Sequence, residues 1–273
     1  TENWKIYTVE RNYVMSEKVI LISIDGMRPD GALQCGHPFV QKLISMSSYT
    51  LTGQSVLPTV TLPCHMSMFH SVPPQRHGIL SNDYVPPVRP VPGIAEQLAA
   101  AGKVCAAFYN WEPNRNLWKS GSMKYTSYIE SYQEENTDLL LTRQAVRMLE
   151  DRKPDFIFLY LVETDDKGGH DNGWMSEPYL RQLYNAFDCV EQVFAAASED
   201  YHIIVTADHG GHGRSHGEDC PEDFTIPMFF YGSSFEPGKK LETASLLDLA
   251  PTIAKLTGVS PAREWEGRVI EGI

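Results

Sequence analysis

Val19-Ile-Leu-Ile-Ser-Ile-Asp25-Gly26 is a short apolar run, interrupted by one serine, that ends in an acid and a glycine. A run of this kind reads as a strand covered on both faces, as in parallel sheets. Five more such runs lie at 49–57, 104–109, 156–162, 202–207 and 228–231. Helical patterns separate them. Leu180, Leu183, Phe187, Val190 and Phe194 recur at three- and four-residue steps, with Ser176 and Pro178 placed to start that helix. Leu141, Ala145, Met148 and Leu149 mark a second helix, opened by Asn136 or Thr137. Residues 93–101 and 246–256 supply two more, closed by Gly102 and Gly258. Strand and helix in alternation predict an α/β fold, a three-layer α/β/α sandwich around a mostly parallel sheet. We expect one such domain over 19–273, behind an N-terminal extension, 1–18, that lacks the apolar core of a signal peptide.

The formal net charge of -12 argues against binding a nucleic-acid duplex by general attraction to its phosphates. It leaves room for a small phosphate ester held by metal ions, which would be the largest local charges in their site. No stretch is apolar enough to span a membrane. The five cysteines, Cys35, Cys64, Cys105, Cys189 and Cys220, are scattered and form no CxxC pair, so we expect reduced thiols and a cytoplasmic protein.

Three apolar runs end in acids. The first meets Asp25, the run at 156–162 meets Glu163-Thr-Asp-Asp166, and the run at 202–207 meets Asp208-His209. One acid after a strand is usually a helix cap or a turn residue. In a parallel sheet all three would gather at one edge, where carboxylates repel unless cations lie between them. Histidines stand nearby. Asp166 and His170 are four residues apart on Asp-Lys-Gly-Gly-His, and Asp165 is the alternative acid. The chain after His209 continues through His212 to His216. Carboxylate and imidazole donors together suit Zn²⁺, with Mn²⁺ as competitor.

In Pro58-Thr-Val-Thr61-Leu-Pro-Cys64-His65 an apolar strand gives way to a helix-like segment. Thr61 falls near the helix start, where free backbone N–H groups favour an anion. Taken alone it is a helix residue. Beside a dication, its hydroxyl becomes a nucleophile for phosphorus. Thr59 is the rival. His65, His70 and His77 have apolar neighbours and read as structural or supporting groups. Trp111, Trp118 and Tyr125 lie in a stretch, 110–128, that reads as irregular and chiefly as packing.

In this order the motifs resemble the alkaline phosphatase superfamily, particularly its nucleotide pyrophosphatase/phosphodiesterase branch. Ile22-Ser-Ile-Asp-Gly-Met-Arg-Pro-Asp30, the Thr61 segment with its trailing His77-Gly-Ile79, Thr206-Ala-Asp-His-Gly-Gly-His212 and Leu246-Leu-Asp-Leu-Ala-Pro-Thr-Ile-Ala254 carry the likeness. The resemblance implies a phosphoesterase that holds two divalent ions. Asp25, Thr61, Asp208 and His209 would bind the ion that activates the nucleophile. Asp166, His170 and His216 would bind the other, with His212 as competitor for His216. It also implies a phosphothreonine formed on Thr61 and then released by water. Related diesterases often carry an asparagine three residues after the nucleophile, where this chain has Cys64, a weaker donor. Cys64 and Lys167 are the expected substrate contacts, and Arg28, Arg76 and Arg214 lie near the motifs. A metal-dependent phosphomonoesterase or phosphomutase and a non-catalytic metal-binding relative are the alternatives.

Overall fold

The structure, a computed structural model, describes residues 17–271, so most of the expected N-terminal extension lies outside the described residues. In chain order the elements are β1 (Lys18–Ile24), α1 (Pro29–Gln34), α2 (Pro38–Met46), β2 (Ser48–Gln54), α3 (Thr61–His70), α4 (Pro74–His77), α5 (Ile94–Ala100) and β3 (Cys105–Tyr109). They continue with β4 (Tyr125–Tyr128), α6 (Thr137–Asp151), β5 (Phe156–Leu161), α7 (Glu177–Ala196), β6 (Tyr201–Thr206), α8 (Pro221–Phe224), β7 (Thr225–Tyr231) and α9 (Leu249–Leu256).

The strands form one sheet in the order β2-β7-β6-β1-β5-β3-β4. Among the described strands only β7 runs against the rest, pairing antiparallel with both β6 and β2. The central strands β5 and β6 are buried along their whole length, and β1 is buried from its second residue. Their apolar runs are thus covered on both faces, as a doubly covered sheet requires. Helices pack on the two sides. α7 buries Tyr179, Leu183, Phe187, Val190 and Val193, and Ser176 Oγ accepts the Tyr179 N–H at its start.

Register sets up the site. Ile24 pairs with Leu161, and Ser23 with Thr206. The three strands therefore end at one level, and the acids that follow them share one edge. Ligands collect at this edge in open α/β sheets.

Three local expectations change. The strand expected over 49–57 leaves the sheet at Gln54, because Pro58 and the turn before it lead into α3. The stretch 110–128 contains β4, an edge strand whose residues alternate between half-buried and exposed. The helix over 246–256 starts as a 3₁₀ turn, Leu246–Asp248, before α9. The segment Thr164–His170, to which the sequence assigned no element, is a π-helical turn.

Candidate metal centre

Asp25 follows β1, and its neighbour Gly26 takes a left-handed φ of 66°. A Cβ at Gly26 would lie 2.8 Å from Asp165 Oδ1, so glycine lets the β1 and β5 ends approach each other. Gly26 N–H donates to Asp208 Oδ1 at 3.3 Å, linking the β1 and β6 ends. The Gly26 carbonyl accepts from Trp174 Nε1 and from the Tyr179 hydroxyl, both at 2.9 Å.

Two clusters result. Asp25, Asp208 and His209 form one, and Asp165, His170 and His216 the other. In the first, His209 Nε2 lies 3.3 Å from Asp25 Oδ1, 3.3 Å from Asp208 Oδ2 and 3.1 Å from Thr61 Oγ1. In the second, Asp165 Oδ2 is 3.2 Å from His170 Nε2, and Asp165 Oδ1 is 3.9 Å from His216 Nε2. The His209 and His216 rings stack at 3.8 Å, so the clusters adjoin. Ligand atoms 2.0–2.1 Å from a tetrahedral ion stand about 3.3 Å from one another, close to most of these spacings.

The donor atoms are aimed. His170, His209 and His216 each donate Nδ1–H to a backbone carbonyl, of Arg214, Gly210 and Thr59 respectively, at 2.8–3.0 Å. That fixes the tautomer and leaves each Nε2 lone pair facing the carboxylates. Asp25 Oδ1, Asp165 Oδ1 and Asp208 Oδ2 are buried with no hydrogen-bond partner among the described residues. Buried carboxylate oxygens without donors are costly, and divalent cations remove that cost. The residues present fit a pair of divalent ions.

Titration behaviour is mixed: the Asp165 hydrogen bond raises His170 to about 9, so without an ion that ring keeps its proton, whereas burial is the largest influence at the other groups. Burial pushes the Asp25 carboxyl well up, helped by the charges of Asp208 and Asp165. Burial also raises Asp208. Burial opposes ionisation of Asp165 as well, but the His170 hydrogen bond and the fields of His216 and His209 outweigh it and hold its pKa down. His216 is lowered to about 4, by burial first and then by His209. An imidazole that resists protonation is a good ligand.

The expected acid of the second cluster changes. Asp166 does not join His170 and His216, because its Oδ2 accepts from Ser131 Oγ at 2.6 Å. In the π-helical turn Thr164–His170 it is the Asp165 carboxylate, five residues before His170, that lies against the His170 ring. Two further residues expected to touch a substrate have protein partners. Cys64 is fully buried, and its thiol is taken up by Ser55 Oγ at 3.3 Å and the Pro58 carbonyl at 3.7 Å, so it does not open toward a substrate. Lys167 pairs with Glu163 at 2.5 Å and also reaches the Glu134 carbonyl.

The alternative residues have other partners. Thr59 donates its hydroxyl to the Glu218 carbonyl at 3.0 Å. His212 pairs with Asp223 instead of the cage. Arg28 is held by Asp30 and the Gly211 carbonyl. His65 supports the cage: its Nδ1 donates to the Thr61 carbonyl at 3.0 Å, and Ser23 Oγ lies 3.1 Å from its Nε2. The Tyr160 hydroxyl donates to Asp25 Oδ2. Trp174, Tyr179, Tyr160 and Asn82 were not legible as site residues. Asn82 Oδ1 accepts the Leu62 N–H at 3.0 Å, beside Thr61. The one local signal was Trp174, an aromatic four residues after His170.

Residues 19–218 match the model of the type I phosphodiesterase/nucleotide pyrophosphatase family. Human ectonucleotide pyrophosphatase/phosphodiesterase family member 1 is 26% identical over 220 residues, which is 70% of this chain and 23% of the human protein. A phosphopentomutase from Symbiobacterium thermophilum is 33% identical over 112 residues, 41% of this chain and 28% of that enzyme. The chain thus spans about a quarter of the length of these relatives. Among solved structures, murine ectonucleotide pyrophosphatase/phosphodiesterase 5, as an inactive threonine-to-alanine variant in complex with AMP, superposes with a TM-score of 0.77 at 15% identity. That match covers 92% of this chain and 97% of the murine one. On the family match over most of its length, the chain belongs to the type I phosphodiesterase/nucleotide pyrophosphatase family.

Proposed function

We propose that this chain is a two-metal phosphoesterase that cleaves a phosphodiester, nucleotide or related phosphate ester through a phosphothreonine on Thr61. One observation carries the reading. Three buried carboxylate oxygens without partners face three imidazoles of fixed tautomer, and the Thr61 hydroxyl touches one of those imidazoles. In this reading Asp25, Thr61, Asp208 and His209 hold one ion, and Asp165, His170 and His216 the other. Zinc suits the all-nitrogen-and-oxygen donor set, with manganese the alternative. Two bound dications would offset the charge that develops on the attacking and leaving oxygens.

The chain's own residues do the rest. Thr61 Oγ1 forms a bond to phosphorus as the bond to the leaving oxygen breaks. Water then cleaves the phosphothreonine and restores the hydroxyl. Thr61 starts α3, so its N–H has no partner within the helix and can donate to a phosphoryl oxygen. Asn82, held there by Leu62 N–H, is the side chain in this reading that donates to a phosphoryl oxygen, a role that burial denies to Cys64. Trp174 packs edge-on against His170 and His216 and braces both rings. The AMP held by the murine relative makes nucleotides the first substrates to try. The five free cysteines fit a reducing, cytoplasmic setting.

A mutase reading draws on the phosphopentomutase relative. The same cage could return the phosphoryl group from Thr61 to a second hydroxyl of one sugar phosphate. Aryl phosphate mono- and diesters and nucleotides, assayed with Zn²⁺ or Mn²⁺, test both readings. Thr61→Ala should lower turnover by roughly 10⁴-fold or more while metal content stays unchanged. Full activity in that variant sinks the phosphothreonine. Isomerisation of a sugar phosphate without phosphate release selects the mutase.

A further inference from the structure

The loop between β6 and β7 carries His216 into the cage, and its two ends carry a second set of donors. His212, Cys220 and Asp223 bring an imidazole, a thiol and a carboxylate together, with one donor atom of each lying within 4.8 Å of the others. Asp223 is fully buried. Its Oδ1 accepts from His212 Nδ1 at 2.7 Å, and its Oδ2 accepts the Glu218 N–H at 2.9 Å. Cys220 Sγ lies 3.7 Å from the same His212 nitrogen. The His212 backbone is also pinned, exchanging two hydrogen bonds with Ser215 at 2.9 and 3.0 Å.

An aspartate–histidine hydrogen bond with a cysteine nearby would account for the pairwise contacts. The convergence on one nitrogen suggests more. A tetrahedral zinc ion bound 2.3 Å from sulfur and 2.0–2.1 Å from nitrogen holds those two atoms about 3.5 Å apart. The sulfur–nitrogen separation is already near that value. The carboxylate–nitrogen contact would open from 2.7 Å to about 3.3 Å, a small adjustment for a ring on a surface loop. His212 and Cys220 are partly exposed, so the fourth position faces solvent. Glu218 Oε2, 3.8 Å from His212 Nε2, stands beside it. A thiolate, an imidazole and a carboxylate with one open position suit zinc better than magnesium or calcium.

We propose that His212, Cys220 and Asp223 form a further divalent-cation site of zinc type, separate from the cage around Thr61, which ties together the two ends of the loop that carries His216. Binding displaces the Cys220 thiol proton to solvent and moves the His212 proton from Nδ1 to Nε2, freeing Nδ1 for the ion. The bound ion closes residues 212–223 into a ring. His216, inside that ring, is then held against Asp165 from the far side. The proposal does not depend on which reaction the cage performs.

Cobalt(II) distinguishes the two places. The cage offers only carboxylate, imidazole and hydroxyl donors, so a thiolate-to-cobalt charge-transfer band in the near ultraviolet belongs to a cysteine site. Cobalt is titrated into the full chain and into Cys220→Ser, which keeps a good helix-capping residue before α8. The expected result is that band in the wild type, its loss in Cys220→Ser, and one fewer equivalent of bound cobalt per chain in the variant. Absence of the band at saturating cobalt overturns the site. So does a band or a stoichiometry that is the same in both proteins. Loss of all turnover on every ester leaves this measurement untouched and counts only against the phosphoesterase reading.

Discussion

Asp165 Oδ2 lies 3.2 Å from His170 Nε2, five residues further along one π turn, while Asp166 is turned to Ser131. The adjacent acids are therefore unequal. Asp165→Asn should remove binding of one ion and most turnover. Asp166→Asn should keep both ions and stay within about 10-fold of wild-type activity, as for a group outside the coordination sphere. Metal content and kcat of the two purified variants decide it. A metal-deficient Asp166→Asn beside a fully loaded Asp165→Asn would reverse the assignment.

Trp174 and Tyr179 converge on the Gly26 carbonyl, and Gly26 N–H in turn reaches Asp208. Trp174→Phe keeps an aromatic ring against His170 and His216 but loses one donor. We expect metal affinity to fall about 10-fold or more with a stability cost of about 1 kcal/mol. Tyr179→Phe should act in the same direction. Because the two share one acceptor, the double variant should deviate from the sum of the singles. Metal titration alongside urea denaturation separates the two effects.

His77 accepts the Ile79 N–H at Nδ1, and its Nε2 lies 3.1 Å from Ser67 Oγ, so both ring nitrogens are committed in the neutral form. Burial first, and His70 second, lower its pKa from 6.5 to about 4. As pH falls, the unfolded chain therefore takes up this proton before the folded one does. The stability from a neutral His77 is fully present above pH 6.5 and is lost between pH 6.5 and about 4. The shift corresponds to roughly 3 kcal/mol. His77→Gln should flatten stability over that window when unfolding free energies are measured at several pH values. An unchanged slope would show that other groups control it.

Phe69 is fully buried on α3, edge-on to Phe158 at 5.0 Å and close to Trp118 and Phe156. Phe69→Ala should cost about 3–5 kcal/mol by opening a cavity. Chemical denaturation measures the loss. A change below about 1 kcal/mol would mean that the surrounding rings close the gap.

The central sheet was readable because β1, β5 and β6 are buried on both faces, so burial wrote their apolar runs directly. β4 was not. At the edge, its Tyr-Thr-Ser-Tyr needs an apolar character on one face only, and the run was too short and polar to stand out. α1 and α2 are short helices started by prolines, with few turns over which to show a period. In the site, Asp25, Asp208 and His209 could be named because strand ends in one sheet share a level. The choice between Asp165 and Asp166 depended on turn geometry, which spacing alone does not specify. Asn82 was hidden for a different reason: its place beside Thr61 is set by a long loop returning to the helix start, not by any local pattern.

Every residue of α3, from Thr61 to His70, is buried. Close-packed interiors have low compressibility. The threonine hydroxyl is therefore mounted on one of the stiffest parts of the molecule, like a tool fixed in a vice. In the phosphoesterase reading, the incoming ester must be brought to it. On that reading, adjustment to a bound ester would fall to the surrounding segments at 78–93 and 210–222, which contain no helix or strand beyond the start of α8.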